Sequence, residues 1–432
     1  KMLYDQALVP MAYLEAWQLT KNPAYKEIIT QTLDFVLEEL TFSDGGFYSA
    51  QDADVDGKEG EYYLWTRQEI IDVLGEDNGV EACKFWGVEG SPNFEGKFIP
   101  YRADFRQRFV SSPDVTLIPT PENILRSRDK LFSVRKNRHR PATDDKIITA
   151  WNGLMIGMYA RAGNALVNDL YVSAAERAAR FILSQLMDDE SFMLRRSYRD
   201  GEVKGEAVLE DYAFLIQGLM ELFFATSDSF YLKHAQNLTD RMISLFWDID
   251  KKGFHFIPET VDDLPIRSKD IFDGATPSGN SVAFEILIIL DQLLGSGRYE
   301  EMAREMLEVF LPELLEVPAA YTHFICGVDR LAGPLREVVI LPDESRSFVD
   351  EVKKALARLF LPGTIHFVVS DDSFLSSVLG IGERVITDAK GEEINTTMIQ
   401  ICSKRTCLKP VDAKTFLGRL EKDQRKVFDS LF

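Results

Sequence analysis

The feature that most constrains this chain is a helical hairpin used four times. Runs begin at Tyr4-Asp5-Gln6, Trp151-Asn152-Gly153, Glu210-Asp211-Tyr212 and Gly279-Asn280-Ser281. Each leads through an apolar-rich helix and a short break to a tyrosine that opens a second helix: Tyr25, Tyr171, Tyr231 or Tyr299. From Asp5, Asn152, Asp211 or Asn280 to that tyrosine the distance is 19 or 20 residues every time. A fixed period marks one supersecondary unit that cannot bury its apolar side alone and must stack on its copies. The first helix of each pair is apolar nearly all round, as over 153–160 and 282–290, which predicts an inner position. The second is amphipathic: Ile28, Leu33, Phe35, Val36 and Leu40 alternate with Lys26, Glu27, Asp34, Glu38 and Glu39, which predicts an outer position with one wet face.

Breaks within a pair are a few residues, so the two helices are antiparallel neighbours. Connections between pairs are longer and carry glycine and aromatics, as in 43–48, 188–192 and 250–256, and read as short β-hairpins. Weaker helices near 67–75, 78–87 and 121–137, with a last one near 319–332, complete a mostly α fold. The architecture that satisfies the pattern over residues 1–334 is an inner ring of helices within an outer ring, an (α/α)6 six-hairpin toroid barrel. An open helical solenoid satisfies it too. After Pro334 the texture changes: a strand over 336–341, a helix over 348–360, and strands at 365–369 and 396–401 predict a small C-terminal α/β domain over 335–432.

Composition narrows the partners. Lys and Arg number 49 against 69 Asp and Glu, a net charge of −20, the opposite of a phosphate-binding surface, so neither nucleic acid nor an anionic membrane is expected. No run of 18 or more apolar residues suggests a membrane span, and four irregularly spaced cysteines do not form a secreted disulfide framework, so a cytoplasmic protein is expected. The start, KMLYDQALVP, has neither a signal pattern nor an initiating Met, which suggests a processed or truncated product.

If the inner helices run the same way, their N-termini and the hairpin loops share one mouth, where aligned peptide dipoles collect polar ligands. Asp5, Asp144, Asp145, Lys146, Trp151, Asn152, Glu210, Asp211, Tyr212, Ser278, Asn280 and Ser281 belong there, joined by Phe47, Gln51, Glu61, Tyr62 and Trp65 from the first long loop. Rings that cover pyranose faces, interleaved with Asp, Asn and Gln that take hydroxyls, make a sugar pocket. Two carboxylates across it, one from Asp144/Asp145 and one from Glu210/Asp211, form a glycosidase pair, with Tyr62, Trp65, Trp151 and Tyr212 as platform. The competing reading at each of these polar positions is an ordinary helix N-cap. His323, at the start of the last inner helix, is a candidate proton-transfer base weighed against a structural histidine, whereas His255 sits in a hairpin and His234 on an outer helix.

The run Asp52-Ala53-Asp54-Val55-Asp56-Gly57 opens like a calcium loop, but its twelfth position is Tyr63 in place of the bidentate Glu, so a hairpin tip is expected and no metal. Cys402 and Cys407 lack the CxxC spacing of a redox active site and suggest structural thiols or a reversible disulfide. Gly380-Ile381-Gly382 lacks the rest of a dinucleotide fingerprint, and no cofactor is expected.

Taken in order, KMLYDQAL (1–8), GGFYSAQDADVDGKEGEYYLW (45–65), NFEGK (93–97), DDKIITAWNGLMI (144–156), LEDYAFLIQGLMEL (209–222), ATPSGNS (275–281), PLREVVI (334–340) and Cys402-x4-Cys407-x2-Pro410 resemble one family. It is the thioredoxin-domain-containing family that includes the spermatogenesis-associated thioredoxin-like proteins. The resemblance implies an N-terminal thioredoxin-like domain, absent from this chain, ahead of a barrel similar to N-acylglucosamine 2-epimerases and six-hairpin glycosidases. Such epimerases use two histidines at inner-helix starts. His323 falls at one counterpart, while Glu210 and Asp211 stand where the other belongs, which favours carboxylate chemistry. The expected function is therefore a carbohydrate-active, hydrolase-like enzyme. A sugar epimerase or isomerase is the first alternative. The second is a non-catalytic barrel that recognises a glycan or protein in partnership with a thioredoxin-like domain.

Overall fold

The computed structural model describes residues 1–103, 118–259, 267–343, 345–369, 396–403 and 406–422. The Gly380-Ile381-Gly382 run lies outside them. The chain is mostly helical and divides into two compact units: residues 1–2, 9–40 and 48–145 form the first, and residues 3–8, 41–47 and 146–432 the second. The change of texture at Pro334 lies within the second. No described helix is long and apolar enough to cross a membrane.

The hairpin repeat is present in the fold. Its apolar helices are α1 (Leu3–Thr20), α6 (Thr149–Leu166), α8 (Leu209–Thr226) and α10 (Gly279–Leu294), and their amphipathic partners are α2 (Pro23–Glu39), α7 (Asp169–Gln185), α9 (Ser229–Phe246) and α11 (Arg298–Glu316). Every helix of the first set ends in a left-handed residue: Lys21 (φ 58°), Val167 (φ 59°), Ser227 (φ 62°) and Gly295 (φ 65°). A left-handed C-cap turns the chain sharply after the last helical carbonyls. The next helix is then restarted by a side-chain N-cap, with Asn22, Asn168 and Asp228 accepting the amides of Ala24, Leu170 and Phe230.

The connections between pairs are hairpins, as expected. Thr41 bridges Phe47, Met187 bridges Leu194 and Trp247 bridges Phe254. In the second unit each bridge residue is clasped by the start of the following apolar helix. The Asn152 amide accepts from Phe47 N (2.8 Å) and donates to Phe47 O (3.0 Å). Asn280 does the same to Phe254, at 2.8 Å in both directions. In the middle copy Tyr212 Oη accepts from Leu194 N at 2.9 Å.

Helices α6 and α8 lie in step and run the same way. Ala150 N donates to Asp211, a Cβ on Gly153 would overlap the backbone of Phe214 and Leu215, and Gly157 faces Gly218. Three glycines remove the side chains that would hold the two backbones apart. Helix α10 continues the parallel series: Gly279 packs on Leu209 and Glu210, and further along Glu285 meets Gln217. Helix α12 (Thr322–Ala332) is tied to α10 by Phe284 and Phe324, stacked at 4.2 Å.

At the C-terminal ends of these helices sits a five-stranded mixed sheet. Strand β8 (Arg336–Leu341) pairs parallel with β9 (Thr364–Val368) across the crossover helix α13 (Val349–Ala357), and antiparallel with β10 (Met398–Ser403). Strands β11 (Thr406–Cys407) and β12 (Val411–Asp412) flank β10, helix α14 (Ala413–Lys422) follows, and a disulfide joins the paired Cys402 and Cys407. Val338, Ile340, Val352, Leu356, Ile399 and Phe416 form its core. Lys353 Nζ donates to Ala225 O (2.8 Å) and Val368 N to Ser227 Oγ (3.0 Å), which closes the end of α8.

In the first unit, α3 (Arg67–Leu74), α4 (Glu76–Phe85) and α5 (Glu122–Arg135) bury Trp65, Ile70, Cys83, Phe98 and Leu131. The acidic run at 52–57 is a hairpin tip: β2 (Asp54–Val55) pairs with β3 (Lys58–Glu59) through Asp56 (φ 52°) and Gly57 (φ 76°), the two positive φ values of a tight turn.

Candidate functional site

The polar residues at the helix starts of the second unit are almost wholly engaged with backbone. Asp211 is fully buried. Its Oδ1 accepts from Ala150 N (3.1 Å) and its Oδ2 from Val208 N (2.9 Å) and Arg196 Nη1 (3.2 Å), so one carboxyl fastens the starts of α6 and α8 together. Burial pushes its pKa up to about 6 against the opposing pull of Arg196 and the two amides. Asp273 makes the equivalent tie between α10 and α12, accepting from Ser278 N (3.1 Å) and His323 N (2.7 Å). Ser278 caps α10 by accepting from Ser281 N (3.0 Å). Asn152, Asn280 and Tyr212 are buried and spend their polar atoms on the hairpin clasps. Phe47 is buried against Tyr159. Trp151 stays partly exposed, edge-on to Tyr4 at 5.0 Å, and Lys146 is exposed.

Glu210 differs from its neighbour. It is half-buried, its carboxyl is held above the ordinary range by burial, opposed by Arg196 and reinforced by Asp270, and it stands beside Gly279 at the start of α10. Down the same face of α8 come Gln217, Glu221 and Phe224, all half-buried on a helix whose other residues are buried as far as Ala225. The offsets of 7, 4 and 3 residues are the spacing of one helical stripe.

That stripe leads to an ionic cluster which the sequence reading reached only at His323. Glu285, from the middle of α10, places Oε2 3.3 Å from His323 Nε2 and Oε1 3.3 Å from Arg330 Nε, while Gln217 Nε2 donates to Oε2 at 3.4 Å. Burial works against the Glu285 charge, but His323, Arg330 and Arg161 outweigh it and hold its pKa down to about 2. Burial likewise opposes a charge on His323, yet Glu285 and Asp273 prevail and raise its pKa. Each partner thus favours the charged form of the other, carboxylate beside imidazolium. Arg330 Nη1 and His323 Nε2 are both buried without a hydrogen bond of ordinary geometry to the protein, so the imidazole meets Glu285 as an ion pair. Helices α6, α8, α10 and α12 thus each bring a polar side chain (Arg161, Gln217, Glu285, and His323 with Arg330) to this interior. A Glu inside the run Phe284-Glu285-Ile286 was the available signal, since an unpaired carboxylate is not tolerated in an apolar helix.

The remaining histidines of the second unit's loops and outer helices are differently placed. His255 is held through both ring nitrogens, by Asp248 (3.2 Å) and Arg267 O (3.1 Å), and His234 Nδ1 bonds Phe230 O (2.8 Å).

The other sequence-selected residues belong to the first unit. Asp144 pairs with Ala50 in the ladder of β1 (Ala50–Gln51) with β4 (Thr143–Asp144), and its carbonyl accepts from Ser49 N (3.2 Å) and Oγ (3.0 Å). Asp145 follows it, half-buried. Gln51 is buried and accepts from Tyr63 Oη. Glu61 pairs with Lys97 at 2.6 Å, which lowers its pKa. Tyr62 and Trp65 are core residues, with Arg138 stacked 4.0 Å over the Trp65 ring. Of the four rings expected as a sugar platform, only Trp151 retains appreciable exposure. Among the described residues no three His, Cys, Asp or Glu side chains converge as metal ligands.

No protein-family profile matches the chain. Among curated proteins it is similar to spermatogenesis-associated protein 20. Identity to the Homo sapiens protein is 30% over 460 aligned positions, covering 97% of this chain and 57% of that protein. The Rattus norvegicus protein of the same name is 30% identical, with 88% and 53% covered. A Caenorhabditis elegans protein is 26% identical, with 96% and 60% covered. The chain thus spans somewhat over half the length of the curated relatives it matches. Solved structures align loosely. A glycoside hydrolase of family 105 from C. acetobutylicum gives a TM-score of 0.36 at 12% identity, covering 72% of this chain and 77% of that one. A D-mannose isomerase gives 0.36 at 14%, covering 72% and 74%.

Proposed function

We propose that the chain is the sugar-active part of a protein like spermatogenesis-associated protein 20, that its hairpins close into a six-hairpin toroid, and that the second unit performs proton-transfer chemistry on a carbohydrate. The reaction class is that of an isomerase or epimerase. The observation that carries this reading is the Glu285–His323 pair, a histidine oriented by a carboxylate inside a half-buried stripe, with Arg330 on the same carboxylate. A base oriented by a third group is the arrangement general acid–base catalysis requires. His323 Nε2 faces the Glu285 carboxylate at 3.3 Å, which leaves Nδ1 to exchange the proton. In the open-chain sugar, Nδ1 of neutral His323 takes the proton on the carbon next to the carbonyl, and the electron pair moves onto the carbonyl oxygen. The positive charge of Arg330 stabilises that oxygen; in isomerisation the imidazolium returns the proton to the former carbonyl carbon while the hydroxyl proton passes from the neighbouring oxygen to the enediolate oxygen, and in epimerisation a water proton is delivered to the opposite face of the original carbon. Because the His323 pKa is raised, the base form emerges only above its ordinary value, and turnover rises with pH on that limb.

A hydrolytic reading rests on Glu210, whose raised pKa suits a proton donor to a leaving oxygen. Asp144 and Asp145 are the partners the sequence offers for it, and Trp151, with Lys146 nearby in sequence, is the remaining contact group. In either case a thioredoxin-like domain or protein is the proposed partner and the cytoplasm the proposed compartment.

One experiment separates the readings. Mono- and disaccharides incubated with the protein in D2O and followed by NMR should gain deuterium next to the carbonyl, and His323→Asn or Glu285→Gln should abolish the exchange. New anomeric signals that survive both substitutions but vanish in Glu210→Gln would replace isomerisation by hydrolysis. Binding shifts without turnover would reduce the chain to a recognition module.

A further inference from the structure

Outside the interior cluster, the second unit has a surface cavity of about 650 Å³ that the sugar chemistry does not use. Its walls come from the 41–47 hairpin (Asp44), helix α7 (Arg177, Arg180, Phe181), the segment after it (Asp189), Tyr198 of strand β6 (Arg195–Arg199), and Phe230 and His234 of α9. The size lies within the range of small-molecule sites, roughly 300–1,000 Å³.

Two features are unlike an ordinary surface groove. The first is charge. Arg177 and Arg180 are exposed, lie one helical turn apart on the same face, and neither is ion-paired to a carboxylate among the described residues. Elsewhere Arg126, Arg140, Arg298 and Arg304 each meet a carboxylate within 3.1 Å, as expected of a chain with 69 acidic residues and 49 basic ones. Like charges one turn apart repel, and an anion seated between them removes the repulsion. Arg180 also lies 5.3 Å over the Phe230 ring, which fixes the guanidinium at the cavity wall.

The second feature is the ring surface. Phe230 and His234 are 4.2 Å apart between centroids, and Phe181 meets Tyr198 edge-on at 5.1 Å. His234 Nδ1 is engaged by Phe230 O, which leaves Nε2 as an acceptor in the neutral tautomer. The wall opposite is held by glycine: a Cβ on Gly45 (φ 125°) would stand 2.8 Å from Arg177 O, and one on Gly46 would press into Ile147 and Phe181. Asp44, which accepts from Ser43 Oγ at 3.1 Å, and Asp189 complete the rim as hydroxyl acceptors.

We infer that this cavity binds a phosphate monoester carrying a flat ring, a nucleoside monophosphate in chemical class. The phosphate lies on Arg177 and Arg180, the ring on the Phe230–His234 and Tyr198 surfaces, and sugar hydroxyls on Asp44 and Asp189. Planar forked guanidinia suit phosphate oxygens better than ammonium groups do.

Titration calorimetry of the full chain with adenosine monophosphate, ribose 5-phosphate and inorganic phosphate tests this. The expected order is adenosine monophosphate tightest and inorganic phosphate weakest, with affinity falling at higher salt. Arg177→Ala with Arg180→Ala should weaken adenosine monophosphate by at least about tenfold, and Phe230→Leu should weaken it by a larger factor than it weakens inorganic phosphate. Both arginines are solvent-exposed, so circular dichroism of the double variant should match the parent and exclude a folding defect. Equal binding of ribose 5-phosphate and adenosine monophosphate would overturn the ring contact. Failure of all three to bind, or binding indifferent to both arginines, would overturn the site. Neither result bears on His323 and Glu285.

Discussion

At the residue scale, neighbouring carboxylates do different work because their surroundings differ. Glu210 and Asp211 are adjacent, yet Asp211 is consumed by two helix starts and Arg196 whereas Glu210 faces a half-open stripe. Replacing Asp211 by Asn leaves one acceptor oxygen for donors that now share two, and should cost about 1–3 kcal/mol in urea unfolding. The pH dependence should also change. A buried carboxyl raised to about 6 contributes stability that is full below the unfolded carboxyl value of roughly 3.9 and is lost as pH rises through about 6. Asp211→Asn should therefore flatten the stability profile across that window. The Glu285–His323 pair has the reverse pattern on its acid side. The depressed Glu285 contributes stability present above roughly 4.3 and lost as pH falls toward about 2. The raised His323 contributes stability present below roughly 6.5 and lost as pH rises through its folded value. In Glu285→Gln the His323 ring should titrate at lower pH by NMR than in the parent. An unchanged titration would show that the carboxylate does not hold the imidazolium.

At the element scale, the hairpin is defined by its stop, its restart and its clasp. Val167 is the costly member of the left-handed caps, since a β-branched residue at φ 59° is strained where Gly295 is not. Val167→Asn, at a site already 39% exposed, should raise stability by about 1 kcal/mol, read as a higher denaturation midpoint. Gly218→Ala should act oppositely. A methyl group there meets the Gly153 carbonyl, which belongs to a rigid helix and cannot yield, so a loss of about 1–3 kcal/mol or more is expected. The clasps explain why Asn recurs at 152 and 280: a single amide both donates to and accepts from one hairpin residue. Tyr212 reaches the same hairpin position in the middle copy with a longer side chain, its Oη accepting from Leu194 N at 2.9 Å and donating to Phe192 O at 3.3 Å.

At the scale of the whole molecule, the C-terminal sheet is part of the second unit's packing. Lys353 and Ser227 join it to the end of α8, Phe367 lies 5.8 Å from Phe223, and Gln292 Nε2 donates to Arg336 O at 3.1 Å. Helices and sheet of this unit should unfold together. Phe367→Ala, in the sheet, should cost about 3–5 kcal/mol and shift the helical transition seen by far-ultraviolet circular dichroism by the same amount as the fluorescence of Trp151 and Trp247. A separate, earlier transition of the sheet would contradict this coupling.

Repeat, helix order, hairpin connections and the strands after Pro334 were legible in the sequence because they follow from local periodicity: apolar spacing fixes which side of a helix is buried, and Gly, Asn and Asp fix where the chain turns. His323 was legible as a polar residue at a helix start. Its partner was not, because Glu285, Gln217 and Arg330 are 38, 106 and 7 residues away, and only parallel helices in matching register bring them to one carboxylate. The same register turned Asn152, Asp211 and Asn280 toward backbone and left Glu210 open. Sequence by itself determined which segments are helices and which residues are polar at their starts. Tertiary structure alone decided which of those polar groups are spent on satisfying buried amides and which remain for a ligand, since a hydrogen bond is assigned by the atoms within about 3 Å of it, not by neighbours in the chain.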